Sequence, residues 1–245
     1  MGWRGLLKTS DLPESLFANP VWHALRTEHR HFAAVEGDAC RYPGDVAPMA
    51  AIAAPTTSAL RELSMLLSAG ESVWLMGESY PQARELSFEE TMLCLQMVLP
   101  EEIAPPESSF EIVPITDAPE MVALTDAAFP GFFRRRTCEM GSYYGVRSGG
   151  ELIAMGGERL MLDGYAEISG VCTRREHRGK GLAAGIIWRL VEDHRRRGVV
   201  SWLHVGNANR HAIELYLRMG FRIVREAMLH RVMLQSFKCN PHVTK

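Results

Sequence analysis

The stretch from Arg174 to Ala183, RREHRGKGLA, places basic side chains and two glycines between an apolar run and an amphipathic segment. This order predicts a loop that leads from a strand into a helix. The first turn of a helix leaves about four backbone N–H groups unpaired and carries partial positive charge. Gly179 and Gly181 let a ligand approach the backbone, and Arg178 and Lys180 add full charges. The stretch therefore predicts a site for a pyrophosphate.

The glycine spacing excludes two common phosphate loops. The stretch lacks GxxxxGK[ST], so it is not a P-loop. It is not a dinucleotide-binding GxGxxG loop either, because Ala184 stands at the third glycine position and the next strand is not followed by the expected acidic residue. The stretch does fit the pattern R/Q-x-x-G-x-G/A, with Arg178, Gly181 and Ala183 at the fixed positions.

That pattern resembles the acyl-CoA-binding loop of the GNAT (Gcn5-related) N-acyltransferase superfamily. A second motif agrees with it, because the segment Asn207–Phe221 is similar to the family's ending N-x-x-A-x-x-x-Y-x-x-x-G-F. Two motifs in this order and at this separation make the resemblance specific over about residues 110–235. One position departs from the family pattern, since Arg175 stands where proline is frequent.

The segment Glu167–Thr173, EISGVCT, most resembles the FR47-type branch, which is related to glycine N-acyltransferases. A degenerate N-terminal copy of the fold is common in that branch. The resemblance therefore implies an α/β fold with a mixed (α+β) sheet, built from two tandem GNAT-like halves. The C-terminal half carries the intact acyl-CoA loop. The corresponding link in the N-terminal half, Ala53–Thr57, has neither glycine nor a cation.

A linker separates the two predicted halves. Residues 99–109 contain three prolines, three acidic residues and two serines, a composition that disfavours helices and central strands. We place the boundary there. Residues 1–105 are predicted to form the degenerate N-terminal domain, and residues 106–245 the catalytic domain.

Hydrophobic periodicity and turn signals predict the elements of each half. In the C-terminal half, strands are expected at Phe110–Ile115, Tyr143–Arg147, Leu152–Leu162, Tyr165–Thr173, Val199–Val205, Phe221–Val224 and Leu229–Leu234. Helices are expected at Asp117–Phe129 with Thr116 as N-cap, Phe132–Met140, from Leu182 to the Arg195–Arg197 cluster, and His211–Met219. In the N-terminal half, we expect helices at Val21–Arg30 and Thr57–Ala69 and strands at His31–Val35, Ala39–Tyr42, Ala47–Ala53 and Ser72–Met76.

The resemblance implies that acetyl-CoA is the acyl donor and that it binds at the loop and the strand before it. Backbone N–H groups of Arg178–Ala183 would hold the pyrophosphate, and backbone groups of Val171–Thr173 would meet the pantetheine and the thioester carbonyl. The candidate cofactor-binding residues are Val171, Cys172, Thr173, Arg178, Gly179, Lys180, Gly181, Leu182, Ala183, Asn207, Asn209 and Ala212. Asn209 fits an N-cap of the following helix equally well.

Two catalytic residues are expected, an acid for the leaving thiolate and a base for the acceptor ammonium. The resemblance makes Tyr216 the acid, because the family carries a tyrosine one helical turn before its Gly-Phe pair. Glu167 is the candidate base, and its apolar neighbours predict a raised pKa. His204 is the rival base. Strand alternation would put four residues on one face: Glu167, Ser169, Val171 and Thr173. Cys172 would then point away from Glu167, which disfavours it as a nucleophile.

Composition limits the other classes of function. The 245 residues are 47% hydrophobic and 23% charged, with a net charge of −2, as in an ordinary globular protein. This balance argues against nucleic acid as a partner, although basic clusters occur at 174–180 and 195–197. Without a run of about 20 apolar residues, no membrane span is expected. Five scattered cysteines predict a reduced, cytoplasmic chain without a metal site.

The sequence thus predicts an acetyl-CoA-dependent N-acetyltransferase that acts by direct transfer on a primary amine of a small molecule, an amino acid or a peptide. A non-catalytic acyl-CoA-binding sensor or structural subunit is the alternative. The cluster Arg134–Arg136 is interpreted as a solvated helix face rather than as a guide for an acidic substrate. Whether the chain is a homodimer stays open.

Overall fold

The computed structural model describes residues 13–100, 103–104, 106 and 110–235. Its α-helices are α1 (Glu14–Ala18), α2 (Pro20–Arg26), α3 (Thr57–Met65), α4 (Ala118–Asp126), α5 (Leu182–Arg196) and α6 (Arg210–Arg218). Its strands are β1 (Ala34–Glu36), β2 (Ala39–Arg41), β3 (Ala50–Ile52), β4 (Ser72–Met76), β5 (Leu86–Val98), β6 (Val113–Pro114), β7 (Tyr143–Ser148), β8 (Glu151–Leu162), β9 (Tyr165–Thr173), β10 (Val200–Gly206) and β11 (Arg222–Leu234).

Eight strands form one sheet in the order β4-β11-β5-β10-β9-β8-β7-β6, and β1, β2 and β3 form a small second sheet. Strands β9 and β10 are parallel, whereas the other neighbours described are antiparallel. This mixed sheet confirms the predicted fold class. The predicted strands Tyr165–Thr173 and Ser72–Met76 are confirmed residue for residue.

Strand β5 was not predicted from the sequence. It belongs to the N-terminal half, yet it lies between β10 and β11 and pairs with both. The end at 94–98 is buried on both faces, and the stretch 88–91 is exposed on both faces, so neither part shows a period of two. The two halves therefore share one sheet. Most of the linker at 99–109 lies outside the described residues, and the boundary between residues 105 and 106 stays a prediction.

The predicted pair of strands at the C-terminus is wrong. Strand β11 is continuous over 13 residues and pairs with β5 along its length and with β4 near its end. The charged pair Arg225-Glu226 looks like a turn in the sequence. In the sheet these two residues pair with Gln96 and Leu95 of β5, and a register shift between Ile223 and Arg225 accommodates them.

Two features of the segment around α4 also differ from prediction. The N-cap of α4 is Asp117 and not Thr116, because the Asp117 carboxylate accepts a hydrogen bond from the Glu120 N–H at 3.1 Å. The helix predicted at Phe132–Met140 is absent from the described structure, where only Thr137–Met140 forms a 3-10 turn. Contacts with the N-terminal half, described below, hold this segment in another shape.

The sheet is covered on both faces. Helix α5 packs Ile186, Ile187 and Leu190 onto one face in a core that also contains Leu203. The other face is covered by the N-terminal half, where Phe17 contacts the Trp202 ring at 5.2 Å between centroids. We call this second face the N-terminal face. The N-terminal half is therefore part of the core around the C-terminal strands.

Candidate active site

The parallel strands β9 and β10 part in the middle of the sheet. They pair from Tyr165 and Val200 to Ile168 and Leu203, and no further pairing between them is described. Beyond that point β10 continues to pair with β5, up to Gly206 opposite Cys94. The edge of β9 that faces β10 is thus left without a strand partner from Ser169 onward. Unpaired backbone groups at such a cleft are available to an extended ligand.

The loop after β9 has the backbone shape that its glycines predicted. Gly179 and Gly181 have φ values of +77° and +78°, in the left-handed region, and a Cβ at either would meet nothing within 4 Å. Backbone conformation rather than packing therefore requires glycine here. Gly181 is also the N-cap of α5 and has no side chain with which to cap it. The first N–H groups of α5 are consequently open to a ligand.

The basic residues of the loop lie at its surface. Arg178 and Lys180 are exposed. The Arg178 Nε donates a hydrogen bond to the Thr173 carbonyl at 3.2 Å, and the Arg174 Nε donates to the Leu152 carbonyl at 3.0 Å. These bonds fasten the loop to the end of the cleft. The structure thus brings the predicted set Arg178–Ala183 next to the end of β9.

A bulge in β9 changes which residues share a face. Gly170 has a φ of +66°, and the register with β8 shifts between Ser169 and Cys172. Val171 therefore packs on the α5 side with Ile168, whereas Cys172 lies in a cluster on the opposite face. The predictions that Glu167 and Val171 share a face, and that Cys172 points away from Glu167, are wrong. Burial raises the pKa of Cys172 to about 12, which still disfavours a thiolate nucleophile.

Helix α6 and the turn before it close the other side of the cleft. The Asn207 N–H donates to the Leu93 carbonyl at 2.9 Å. The Asn209 side chain accepts from the Ala212 N–H at 3.2 Å, so the N-cap interpretation of Asn209 is confirmed and the Ala212 N–H is already used. Tyr216 is buried, and burial raises its pKa to about 12. Its phenol is protonated at neutral pH.

Glu167 lies just before the point where the strands part, and its carboxylate is saturated. It accepts from Arg159 Nε at 3.0 Å, from Arg159 Nη2 at 2.6 Å and from the Leu160 N–H at 3.2 Å, and His204 Nδ1 lies 2.7 Å away. Burial opposes ionisation of this carboxyl, but Arg159 and His204 outweigh burial and lower the pKa to about 2. The prediction of a raised pKa is wrong, because the sequence did not place Arg159 beside Glu167.

Four side chains continue this arrangement across the sheet as a polar row, made of Gln96, His204, Glu167 and Arg159. The Gln96 Nε2 donates to the Phe17 carbonyl at 2.8 Å and lies 3.0 Å from His204 Nε2. Since Gln96 Nε2 is a donor, His204 Nε2 accepts and His204 Nδ1–H donates to Glu167. Both His204 nitrogens are then in use. Sequence reasoning missed Gln96 and Arg159, although a charged residue inside the apolar strand β8 was a signal.

The segment between α4 and β7, residues 127–142, crosses the N-terminal face. The Arg136 N–H donates to the Asp45 carbonyl at 2.9 Å, and the Thr137 hydroxyl donates to the Val46 carbonyl at 2.6 Å. Arg135 and Arg136 also form ion pairs with Asp45. The interpretation of Arg134–Arg136 as a helix face is therefore wrong, because the segment is fixed to the N-terminal half instead.

An apolar wall lies on the same face of the sheet, made of Trp74, Met76, Cys94, Ala227 and Leu229. Met92 and Phe132 pack against it, and the Phe132 and Trp74 rings stack at 5.4 Å between centroids. Phe132 comes from the 127–142 segment, so this segment covers the wall. Arg159 and the apolar wall thus lie on the face that the N-terminal half encloses.

Two observations on the described residues concern metal binding and membrane-spanning helices. These residues include no cluster of three or more His, Cys, Asp or Glu side chains placed to hold a metal ion. None of the helices in the described ranges has the length and apolar character needed to cross a bilayer.

Comparisons with known proteins agree with the geometry. Residues 109–221 match the family described as the Acetyltransferase (GNAT) family. A solved structure from Novosphingobium aromaticivorans, assigned to acetyltransferases of the GNAT family, is 32% identical, covers 90% of this chain and 99% of that chain, and has a TM-score of 0.82. None of the curated proteins matches the chain.

More distant structures share the fold. A GCN5-related N-acetyltransferase from Kribbella flavida has a TM-score of 0.61 at 16% identity, covering 89% of this chain and 96% of that chain. A GCN5-related N-acetyltransferase-like protein from Streptococcus suis has a TM-score of 0.58 at 12% identity, covering 93% and 95%. At these identities the likeness concerns the fold alone.

Proposed function

The chain belongs to the GNAT family of acetyltransferases, and we propose that it transfers an acetyl group directly from acetyl-CoA to a primary amine. The observation that carries the proposal is the cleft between β9 and β10, which ends at an open helix N-terminus flanked by exposed cations. An extended thioester with a pyrophosphate matches this order of groups. The FR47-type branch and a cytoplasmic location stay predictions.

Three sets of residues would hold the donor. The N–H groups of Gly179–Ala183 would bind its pyrophosphate, because left-handed glycines expose the backbone there. The Arg178 N–H already donates to the Arg175 carbonyl at 3.3 Å, so Arg178 would contribute its side-chain charge alone. The unpaired edge of Val171–Thr173 would bind its pantetheine arm. Asn207 and Asn209, at the start of α6, would border that arm. Acetyl-CoA supplies an activated acyl group when bound, and the chain supplies its orientation relative to the amine.

We assign to Tyr216 the role of hydrogen-bond donor to the departing thiolate. With a pKa of about 12, the phenol keeps its proton at neutral pH. Complete transfer to a thiolate of pKa about 8.5 would be uphill by about 5 kcal/mol. Tyr216 therefore stabilises the developing negative charge by a hydrogen bond rather than by full protonation.

We propose a positioning role for Glu167 instead of the base role that the sequence suggested. A carboxylate with a pKa of about 2 is a weak base, and all four of its hydrogen bonds are already made. His204 has both nitrogens occupied in the same way. Glu167 therefore fixes Arg159 and His204, and the acidic limb of the pH–rate profile is expected to persist in Glu167→Gln.

Two measurements on the full chain test the proposal. Calorimetric titration with acetyl-CoA should give one-site binding, and a panel of primary amines should release the coenzyme thiol only in the presence of an acceptor. Binding without thiol release for any amine would favour the non-catalytic acyl-CoA sensor. Absence of binding at millimolar acetyl-CoA would overturn the donor assignment.

A further inference from the structure

Arg159 is the most exposed member of the polar row. Its side chain is 18% exposed, compared with 6% for His204 and 0% for Glu167. A guanidinium has five N–H donors, and Glu167 takes one from Nε and one from Nη2. The structure gives Nη1 no partner among the described residues. Donors of Arg159 therefore remain unused on its exposed edge.

The orientation of Arg159 is fixed by the other members of the polar row. Glu167 is held by His204 and by the Leu160 N–H, and Gln96 holds His204 in turn. An arginine fixed in this way loses little freedom when it binds a second anion. Its planar fork matches the geometry of a carboxylate. The exposed edge is thus a prearranged carboxylate receptor.

The apolar wall is not a free surface for a ligand, because its five residues are buried and Phe132 packs against them. An open pocket of about 200 Å³ shares Met76 and Ala227 with the wall, but its lining also includes the charged residues Glu78 and Glu226. The structure therefore defines the acceptor by its carboxylate and not by its side chain.

We propose that the acetyl acceptor is an amino acid whose carboxylate binds the exposed edge of Arg159. The inference rests on the proposed transferase function. Glu167, which holds Arg159, stands one residue before the last paired residue of β9, Ile168. A carboxylate bound at Arg159 therefore lies beside the start of the cleft, where the amine would meet the acyl group. An acceptor without a carboxylate would cover Arg159 donors and leave them unsatisfied.

The test compares matched acceptors on the unaltered full chain. L-Leucine and L-phenylalanine are each compared with their amides and with the amines that lack the carboxyl group. We expect kcat/KM, measured by thiol release, to be at least about 30-fold higher for the amino acids than for the amides. The less basic amine of an amide favours the amide, so the comparison is biased against the proposal.

A double variant, Arg159→Met with Glu167→Gln, removes both charges without leaving a carboxylate unpaired. The preference for the acid over the amide should fall to within about threefold, while the Kd for acetyl-CoA stays within about twofold. Equal kcat/KM for acids and amides on the unaltered chain would overturn this inference and leave the transferase function standing. If no amine releases thiol although acetyl-CoA binds, the transferase function fails, and this inference fails with it.

Discussion

The glycine loop before α5 and the polar row both contain charged side chains, but the hydrogen bonding of these side chains differs. In the loop, Arg178 and Lys180 are exposed, and the helix N–H groups beside them have no cap. In the row, Glu167 is buried and saturated by Arg159, His204 and a backbone N–H. Open donors can exchange water for a ligand, whereas a saturated buried charge holds its partners in place. A charged residue therefore indicates ligand binding only where some of its hydrogen-bond donors have no partner within the protein.

The largest effect is expected for a charge placed in the loop. Ala183→Glu adds a carboxylate to the first turn of α5, which suits the helix dipole but repels a pyrophosphate. At about 4 Å, two unit charges repel by about 4 kcal/mol in a protein surface, so the Kd for acetyl-CoA should rise by about 10² to 10³. Ala183→Gln is the matched neutral control and should change the Kd less than about fivefold. Equal effects of the two variants would contradict an anion site.

A substitution in the polar row should change the free energy of unfolding rather than the affinity for acetyl-CoA. The pKa of Glu167 is lowered from 4.5 to about 2, so its contribution is present above about pH 4.5 and is lost as the pH falls towards 2. Glu167→Gln should reduce the free energy of unfolding at pH 7 by about 3 kcal/mol. Urea denaturation at pH 7 and at pH 3 measures this, and the difference between the proteins should shrink at pH 3. A difference that is independent of pH would show that charge is not its cause.

Tyr216→Phe tests whether the buried phenol contributes to the chemical step. Removing one hydrogen bond to a developing charge should lower kcat by about 30-fold, with the KM for acetyl-CoA changed less than about threefold. Steady-state thiol release at saturating acceptor measures both values. If KM rises and kcat does not change, Tyr216 is a packing residue against the coenzyme.

Substitutions of Asn209 should have the smallest effects. They distinguish its role as the N-cap of α6 from a role in binding the coenzyme. Asn209→Ala removes the N-cap of α6 and should reduce the free energy of unfolding by about 1 kcal/mol. Asn209→Asp keeps the cap and loses the amide donor. Thermal unfolding and calorimetry with acetyl-CoA should show a loss of stability only for alanine. Weaker acetyl-CoA binding in Asn209→Asp would assign the amide to the coenzyme.

Much of the fold followed from local patterns. The hairpin around Gly149-Gly150, the strand Tyr165–Thr173 and the amphipathic α5 each carry their signal within a few residues. Strand β5 did not, because its two ends are buried to different extents. Its place between β10 and β11 depends on partners more than 100 residues away in sequence, which periodicity does not encode.

The sequence by itself determined the loop to which we assign coenzyme binding. Left-handed glycines and a helix N-terminus are properties of contiguous residues, so the anion site that we propose at Gly179–Ala183 can be derived from them. The tertiary structure decided the polar row, to which we assign the acceptor. The lowered pKa of Glu167 depends on Arg159 and His204, which reach it across neighbouring strands, and the bulge at Gly170 reverses the faces that alternation predicts. Side-chain electrostatics depends on distances in space, and those distances exist only once the sheet has formed.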